Sequence, residues 1–260
     1  MADSVLYEVT DGLATVTFNR PKAMNALDTD TKNALRDALR EAAGDTAVRA
    51  VLLTGTGRAF CVGQDLKEHV AVLAAGGGMT TVSEHYNPIV TAIATMDKPV
   101  VAGVNGVAAG AGAGFAFAAD YRVVADTAAF NTSFAGVALS ADSGVSWTLP
   151  RLVGQSRASD LLLFPRSVGA EEALALGIAN RVVPAAELAA EAAAVARRLA
   201  DGPTVAYAAI KAALAYGAAH SLPDTLALED TLQTRAGSSA DHRIAVDAFL
   251  KKEPPKYVGR

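Results

Sequence analysis

Cysteine, histidine and charge are scarce in this 260-residue chain, and each scarcity excludes something. The one cysteine, Cys61, cannot close an internal disulfide, which fits a reducing cytoplasm and argues against a disulfide-stapled scaffold. Charged residues make up 19% of the chain against 51% hydrophobic, a balance that excludes intrinsic disorder and supplies a full core. No run approaches the ~18 uninterrupted apolar residues of a membrane span. The opening MADSVLYEVTDG carries acids where a secretory leader needs a basic patch and an apolar stretch. A net charge of −4 argues against a nucleic-acid binder, though it leaves room for a local basic spot facing an anionic small molecule. His69, His85, His220 and His242 lack metal-ligand spacing, so no metal site is expected. Cys61 follows Ala59 and Phe60 and reads as a small buried hydrophobe, not a nucleophile. There is no G-x-S-x-G elbow, because Ala141 stands two positions before Ser143.

Short apolar runs separated by helical patterns are what the chain does have. Leu6 to Val9, a turn at Asp11-Gly12, and Ala14, Val16 and Phe18 alternating with threonines predict a hairpin. A helix is expected from Asp28 or Thr29, with Gly44 as its stop. The continuous runs at 50–54, 99–104 and 121–125, and a fainter one at 181–184, suit strands covered on both faces. Helical patterns follow Asp65 and span 85–96 and 112–119, with a loop expected at 75–78. This alternation predicts an α/β class. Later strand signals fade into helices at 187–200, 203–216, 222–235 and 241–250. The domain reading is therefore an α/β core over 1–198 and a helical region over 199–260.

Two stretches invite a ligand. Gly110-Ala-Gly112-Ala-Gly114 fits the dinucleotide fingerprint poorly: its third glycine comes one residue early, and no acid sits at the expected distance. Close helix packing would explain it. So would a helix N-terminus, after a strand ending at Val104, whose small residues let a ligand oxygen reach the main-chain N–H groups. The second stretch is Ala59-Phe-Cys-Val-Gly-Gln-Asp-Leu66, where Gly63 permits a turn that faces the Gln64 N–H toward a cavity.

Taken together, AFCVGQDL (59–66), DKPVVAGVNGVAAGAG (97–112), NRPKAMNAL (19–27) and SADHRIAVDAFLKKEPPKY (239–257) resemble the enoyl-CoA hydratase/isomerase (crotonase) superfamily. The resemblance runs over nearly the whole chain. It implies a ClpP-like fold of repeated ββα units, a C-terminal helical trimerisation region, and a homotrimer or dimer of trimers. It also implies an acyl-CoA thioester as substrate, coenzyme A being part of that substrate and no separate cofactor being needed. The thioester carbonyl would sit in an oxyanion hole of two main-chain N–H groups, which fall on Gln64 and Ala111. Removing a proton beside the thioester puts negative charge on that oxygen, and each fixed donor there is worth roughly 3–4 kcal/mol of barrier. In this reading the backbone of Gln64 and Ala111 matters more than their side chains, so Gln and Ala are acceptable there. The thioester and coenzyme would be bordered by Lys22, Ala23, Val62, Gly63, Gln64, Asp65, Leu66, Ala109, Gly110, Ala111, Phe134 and Leu139. Arg20 and Lys22 are the nearby cations for phosphates, with Lys251 or Lys252 reaching from a neighbouring subunit.

The two glutamates that hydratases of the family use fall on Gly114 and Phe134, so the usual acid and base for hydration are absent. Asp142 remains. DSGVSWTLPRLVG, GQDL, YNPIV and GVAAGAGA resemble the branch with the ring-epoxide isomerase of phenylacetate catabolism and Δ3,Δ2-enoyl-CoA isomerases, whose catalytic aspartate falls on Asp142. That branch has proline where Ala141 stands. A double-bond shift needs one carboxylate with a raised pKa. The expectation is an isomerase of an enoyl-CoA or ring-epoxide thioester. A hydratase with atypical residues, an aroyl-CoA dehalogenase with Asp142 as nucleophile, and an acyl-CoA carrier without turnover are the alternatives.

Overall fold

The computed structural model describes residues 3–260 apart from 77 and 79, and part of the expected 75–78 loop lies outside the described residues. The chain opens with β1 (Val5–Thr10) and β2 (Leu13–Phe18), an antiparallel hairpin whose turn residues Asp11 and Gly12 both have positive φ. That turn geometry matches the right-handed twist of the strands it joins. Next comes α1 (Thr29–Gly44), capped by Asp28, which accepts from the Thr31 N–H at 2.9 Å. The helix stops at Gly44 as expected, Gly44 being its last residue, and the Asp45 N–H still donates to the Glu41 carbonyl.

Three successive units then share one plan: a strand in a large sheet, a short strand in a small sheet, and a helix. The first is β3 (Ala50–Gly55), β4 (Ala59–Cys61) and α2 (Leu66–Ala74). A π-helical turn at Val82–Tyr86 and α3 (Asn87–Thr95) lead to the second: β5 (Val100–Val104), β6 (Val107–Ala109) and α4 (Ala111–Ala118). The third is β7 (Tyr121–Ala125), β8 (Ala129–Asn131) and α5 (Val145–Val153). There follow α6 (Gln155–Leu163), β9 (Val168–Gly169), α7 (Ala170–Ala175), β10 (Arg181–Val183) and α8 (Leu188–Ala200). After a turn at 201–203 come α9 (Thr204–Gly217), α10 (Leu222–Gly237) and α11 (Ala240–Lys251).

The large sheet runs β1-β2-β3-β5-β7-β10, parallel from β2 onward. Its central strands are apolar along their whole length, and β5 is buried at every residue; α8 packs on β3, β5 and β7, β4 of the small sheet also meets β3 and β5, and α1 packs on the β1–β2 hairpin. The small sheet runs β4-β6-β8-β9, with its first three strands parallel. The two sheets place the functional cleft. Since β4 and β6 pair in parallel, Ala59 against Val107 and Cys61 against Ala108, the residues that leave their C-terminal ends emerge side by side. Those residues are Val62-Gly63-Gln64 and Gly110-Ala111.

Candidate active site

Gly63 records how closely the two exits approach. A Cβ built on it would stand 2.9 Å from the Ala109 carbonyl oxygen and 3.3 Å from the Ala111 nitrogen, and its φ of +82 is itself unfavourable for a side chain. Gly112 seats the helix on the other strand: a Cβ there would lie 2.1 Å from the Cys61 carbonyl oxygen. Glycine at both positions is thus a condition for bringing the Gln64 and Ala111 main chains together.

The direction of the two N–H groups follows from their neighbours. Leu27 and Gln64 form a parallel bridge in which the Leu27 N–H donates to Gly63 O at 2.8 Å and the Asp65 N–H to Leu27 O at 3.1 Å. Residues flanking Gln64 make both bonds, so its own N–H points away from Leu27. Ala111 is the first residue of α4, whose first helical bond runs from the Gly114 N–H to Gly110 O. The preceding N–H groups therefore project from the helix end with the positive pole of its dipole behind them. The main chain at Gly63-Gln64 thus lies beside the first residue of α4.

The remaining expected site residues separate into groups. Val62 and Ala109 are half-buried at the strand ends, and Gly110 takes φ +52 to start the helix. Leu66, exposed, opens α2, none of whose residues is buried. Phe134 is buried, while Leu139 is exposed beyond the short turn Ala135–Val137. Lys22 is exposed and Ala23 half-buried on a 3-10 turn, Pro21–Ala23, a few residues before the Leu27 bridge. The Asp65 carboxylate is engaged by Arg20 and by the Lys67 N–H, capping α2. Those partners outweigh the upward push of burial and hold it below its ordinary pKa. Arg20 was expected to face coenzyme phosphates. Instead it pairs with Asp28 at 2.9 Å and Asp65 at 3.1 Å and donates to the Ala26 carbonyl, tying the 20–28 loop to the cleft wall. Lys251 and Lys252 are exposed at the end of α11.

Asp142 lies in the loop before α5, half-buried, accepting from the Ser143 hydroxyl at 2.7 Å. Burial raises its pKa above the ordinary carboxylate value, and the Ser143 bond opposes this in part. Ser143 and Gly144 both take left-handed conformations, φ 51 and 68, a conformation that costs energy for the serine and turns the loop inward. The loop packs on α4: a Cβ on Gly114 would meet both Ser143 Cβ and Ser143 O at 2.7 Å. It also faces α3, since a Cβ on Gly144 would meet Val90 at 2.9 Å. Asp142 thus sits one helical turn from the Ala111 end of α4.

Cys61 is fully buried and its thiol is pushed up to about 12 by burial, so it stays protonated as the apolar reading expected. Sequence reasoning missed a polar cluster behind Gln64. The Lys32 ammonium, on a side chain only 2% exposed, contacts Glu68 at 2.7 Å, Thr81 at 3.0 Å and Gln64 Oε1 at 3.3 Å. The Tyr86 hydroxyl donates to the same Gln64 oxygen. Burial favours a neutral Glu68, yet its bonds from Lys32 and the Thr29 N–H prevail and bring it to about 2. Glu68 therefore stays ionised and is no proton donor at neutral pH. A signal for Lys32 was available: it shares the buried face of α1 with Leu35 and Leu39.

Three successive strand-strand-helix units, with the exits of β4 and β6 side by side at Gly63 and Ala111, define the architecture of the site. The chain belongs to the enoyl-CoA hydratase/isomerase (crotonase) family: the family profile "Enoyl-CoA hydratase/isomerase" matches residues 8–260. It is an acyl-CoA enzyme of the hydratase or isomerase kind. It is 45% identical to a protein of Rhodobacter capsulatus named "Probable enoyl-CoA hydratase", over 99% of this chain and 98% of the relative. With the 1,2-epoxyphenylacetyl-CoA isomerase of Escherichia coli K12 it shares 39% identity over the full length of both. A solved structure described as an enoyl-CoA hydratase/isomerase from Mycobacterium abscessus superposes with a TM-score of 0.95 at 45% identity, covering 98% of this chain and 100% of that one. No helix among the described residues is long and apolar enough to cross a membrane.

Proposed function

We propose that the protein isomerises a CoA thioester, moving a double bond or opening a ring epoxide, with Asp142 as the single proton shuttle. The Asp142 carboxylate takes a proton from carbon 2 of a 3-enoyl thioester. The electron pair moves into the carbonyl, whose oxygen becomes an enolate held by the Gln64 and Ala111 N–H groups. Return of the proton at carbon 4 leaves the 2-enoyl thioester, and no water is consumed. The likeness to the E. coli relative named for a ring-epoxide thioester is the reason that substrate class stands beside the enoyl one in this proposal.

The observation that carries this reading is the closed space at Gly114. Ser143, fully buried, fills the volume a glutamate at 114 would need. Phe134 supplies no carboxylate at the other position, and Glu68 is held at about 2 by Lys32 and Thr29. Asp142 is then the cleft carboxylate with the raised affinity for a proton that a shuttle requires. We also propose that the helical region assembles a homotrimer or dimer of trimers; Phe249 and Leu250, 81% and 73% exposed on α11, are apolar surface suited to burial between subunits.

A panel of CoA thioesters read by mass spectrometry tests this. A 3-enoyl-CoA is expected to convert to the 2-enoyl form with unchanged mass, and water addition to a 2-enoyl-CoA to be weak. Rapid hydration would overturn the reading, halide release from a chloroaroyl-CoA would favour the nucleophilic alternative, and tight binding without turnover would favour a carrier. Gly114→Glu checks the closed space. It is expected to gain no hydratase activity and to lose about 1–3 kcal/mol of stability from overpacking, read by denaturant unfolding.

A further inference from the structure

We propose that Tyr86 is a positioning residue that braces the two main-chain donors against each other, working through the Gln64 side chain. This inference rests on the oxyanion reading of Gln64 and Ala111 and adds to it a reason why residue 64 is a glutamine.

The Gln64 amide is held at two ends. Its main chain is clamped by the Leu27 bridge, and its side chain is gripped by the cluster behind it. Oε1 accepts from the Tyr86 hydroxyl and from Lys32 at 3.3 Å, and Nε2 donates to Glu68 at 3.2 Å. A half-buried amide with both polar ends satisfied cannot rotate without breaking several bonds, so the N–H on the same residue is fixed in direction. The side chain at 64 thus adds to what its backbone does.

Tyr86 also touches the other donor's helix. Its ring packs edge-on against Phe115, centroids 6.0 Å apart at 69°, and Phe115 lies one turn after Ala111 on α4. One side chain, 2% exposed, therefore bonds the residue that carries the first donor and packs on the helix that carries the second. It does so from the last position of a π-helical turn, a feature that interrupts α-helices mostly at functional sites and here feeds directly into α3. Lys32 and Glu68 form the charged base of the brace, since a buried ammonium needs a close counter-charge to remain there.

The test reads the donors directly. A saturated acyl-CoA carrying a ¹³C carbonyl is bound to the wild type, Tyr86→Phe and Gln64→Met, and the carbonyl stretch is recorded by infrared difference spectroscopy below each variant's unfolding temperature. The wild-type stretch is expected to move to lower frequency than in free thioester, and both variants to lose most of that displacement. Turnover of a 3-enoyl-CoA should show a fall in kcat of about 10- to 100-fold with KM changed less, since a small misplacement costs that much. The double variant should lose no more than either single one, because both cut the same bond. A wild-type shift that survives in Tyr86→Phe and Gln64→Met overturns the brace and leaves the oxyanion reading standing, as does a kcat loss with the shift intact. Absence of a shift in the wild type overturns both. A fall in thermal midpoint without these changes marks a merely structural tyrosine and also overturns the brace. Should Tyr86→Phe fail to fold, Gln64→Met breaks the same bond from the other side.

Discussion

Asp142→Asn is expected to abolish isomerisation and, at neutral pH, to make the protein more stable. The two effects share a cause. Asp142 is half-buried in a loop pressed against α3 and α4, and burial raises its pKa above the ordinary value. The buried, partly negative surroundings are felt by its neighbour too: Tyr86 is raised by its own burial first and then by the negative charge of Asp142. For a group whose folded pKa exceeds its unfolded one, the favourable contribution is present below the unfolded pKa and is lost as pH rises through the folded pKa. At neutral pH the ionised Asp142 therefore works against folding, and a neutral amide of the same shape removes that burden. The measurement is the thermal midpoint of both proteins from about pH 3.5 to 8. The variant's advantage should be greatest at neutral pH and vanish toward the acid end. Catalysis moves the opposite way. The base form is needed, so wild-type kcat/KM should fall as pH drops through the raised pKa, and the asparagine should cost at least the ~10²–10⁴-fold of a general base. An Asp142→Asn protein that still isomerises would place the shuttle elsewhere, whatever its stability.

How much of this was readable beforehand depends on the range of the interactions. The strands of the large sheet were legible because burial along their length makes them continuous apolar runs, as at Ala50 to Leu53 and Val100 to Val104. The small sheet was not: Ala59–Cys61, Val107–Ala109 and Ala129–Asn131 are three residues each, too short to display a period. The interval between Phe134 and Leu163 likewise concealed α5 and α6, with Pro150 inside the first of them. In the site, the close approach of the two strand exits was legible because it needs small residues, and glycines at 63, 110 and 112 announce it. Asp142 was visible through resemblance, though not the fully buried Ser143 that fills the Gly114 space. The brace was invisible because Lys32, the Gln64–Glu68 stretch and Tyr86 come from three separate segments and meet only when α1, the start of α2 and the π-helical turn are in place. Arg20 shows another limit: the sequence offers it as a cation beside the expected anion site, but not that Asp28 and Asp65 pair with it.

The other large effect is expected from Ala111→Pro, which deletes one hydrogen-bond donor while leaving the helix in place. Proline inside a helix breaks it, but the first helical residue is the exception, because its N–H has no intrahelical partner to lose and its φ is near the value the ring imposes. Ala111 is that first residue, and the first bond of α4 is made three residues later by the Gly114 N–H. The residue before a proline is driven from the helical region, and Gly110 already sits outside it, at φ 52 and ψ −123, where only glycine is at ease. Thermal unfolding and circular dichroism should therefore match the wild type closely. Turnover should not. Loss of one oxyanion donor costs about 10²–10³-fold in kcat, and the ring carbon that replaces the proton also projects toward the space the thioester oxygen needs, so acyl-CoA affinity should fall as well. Ala111→Gly serves as the control: it trims a methyl, keeps the N–H, and should retain most activity at a cost near 1 kcal/mol in helix propensity. A proline variant that folds and turns over 3-enoyl-CoA as fast as the glycine one would show that α4 supplies no donor to the reaction. The enolate would then have to be held by Gln64 and by some group other than the helix end.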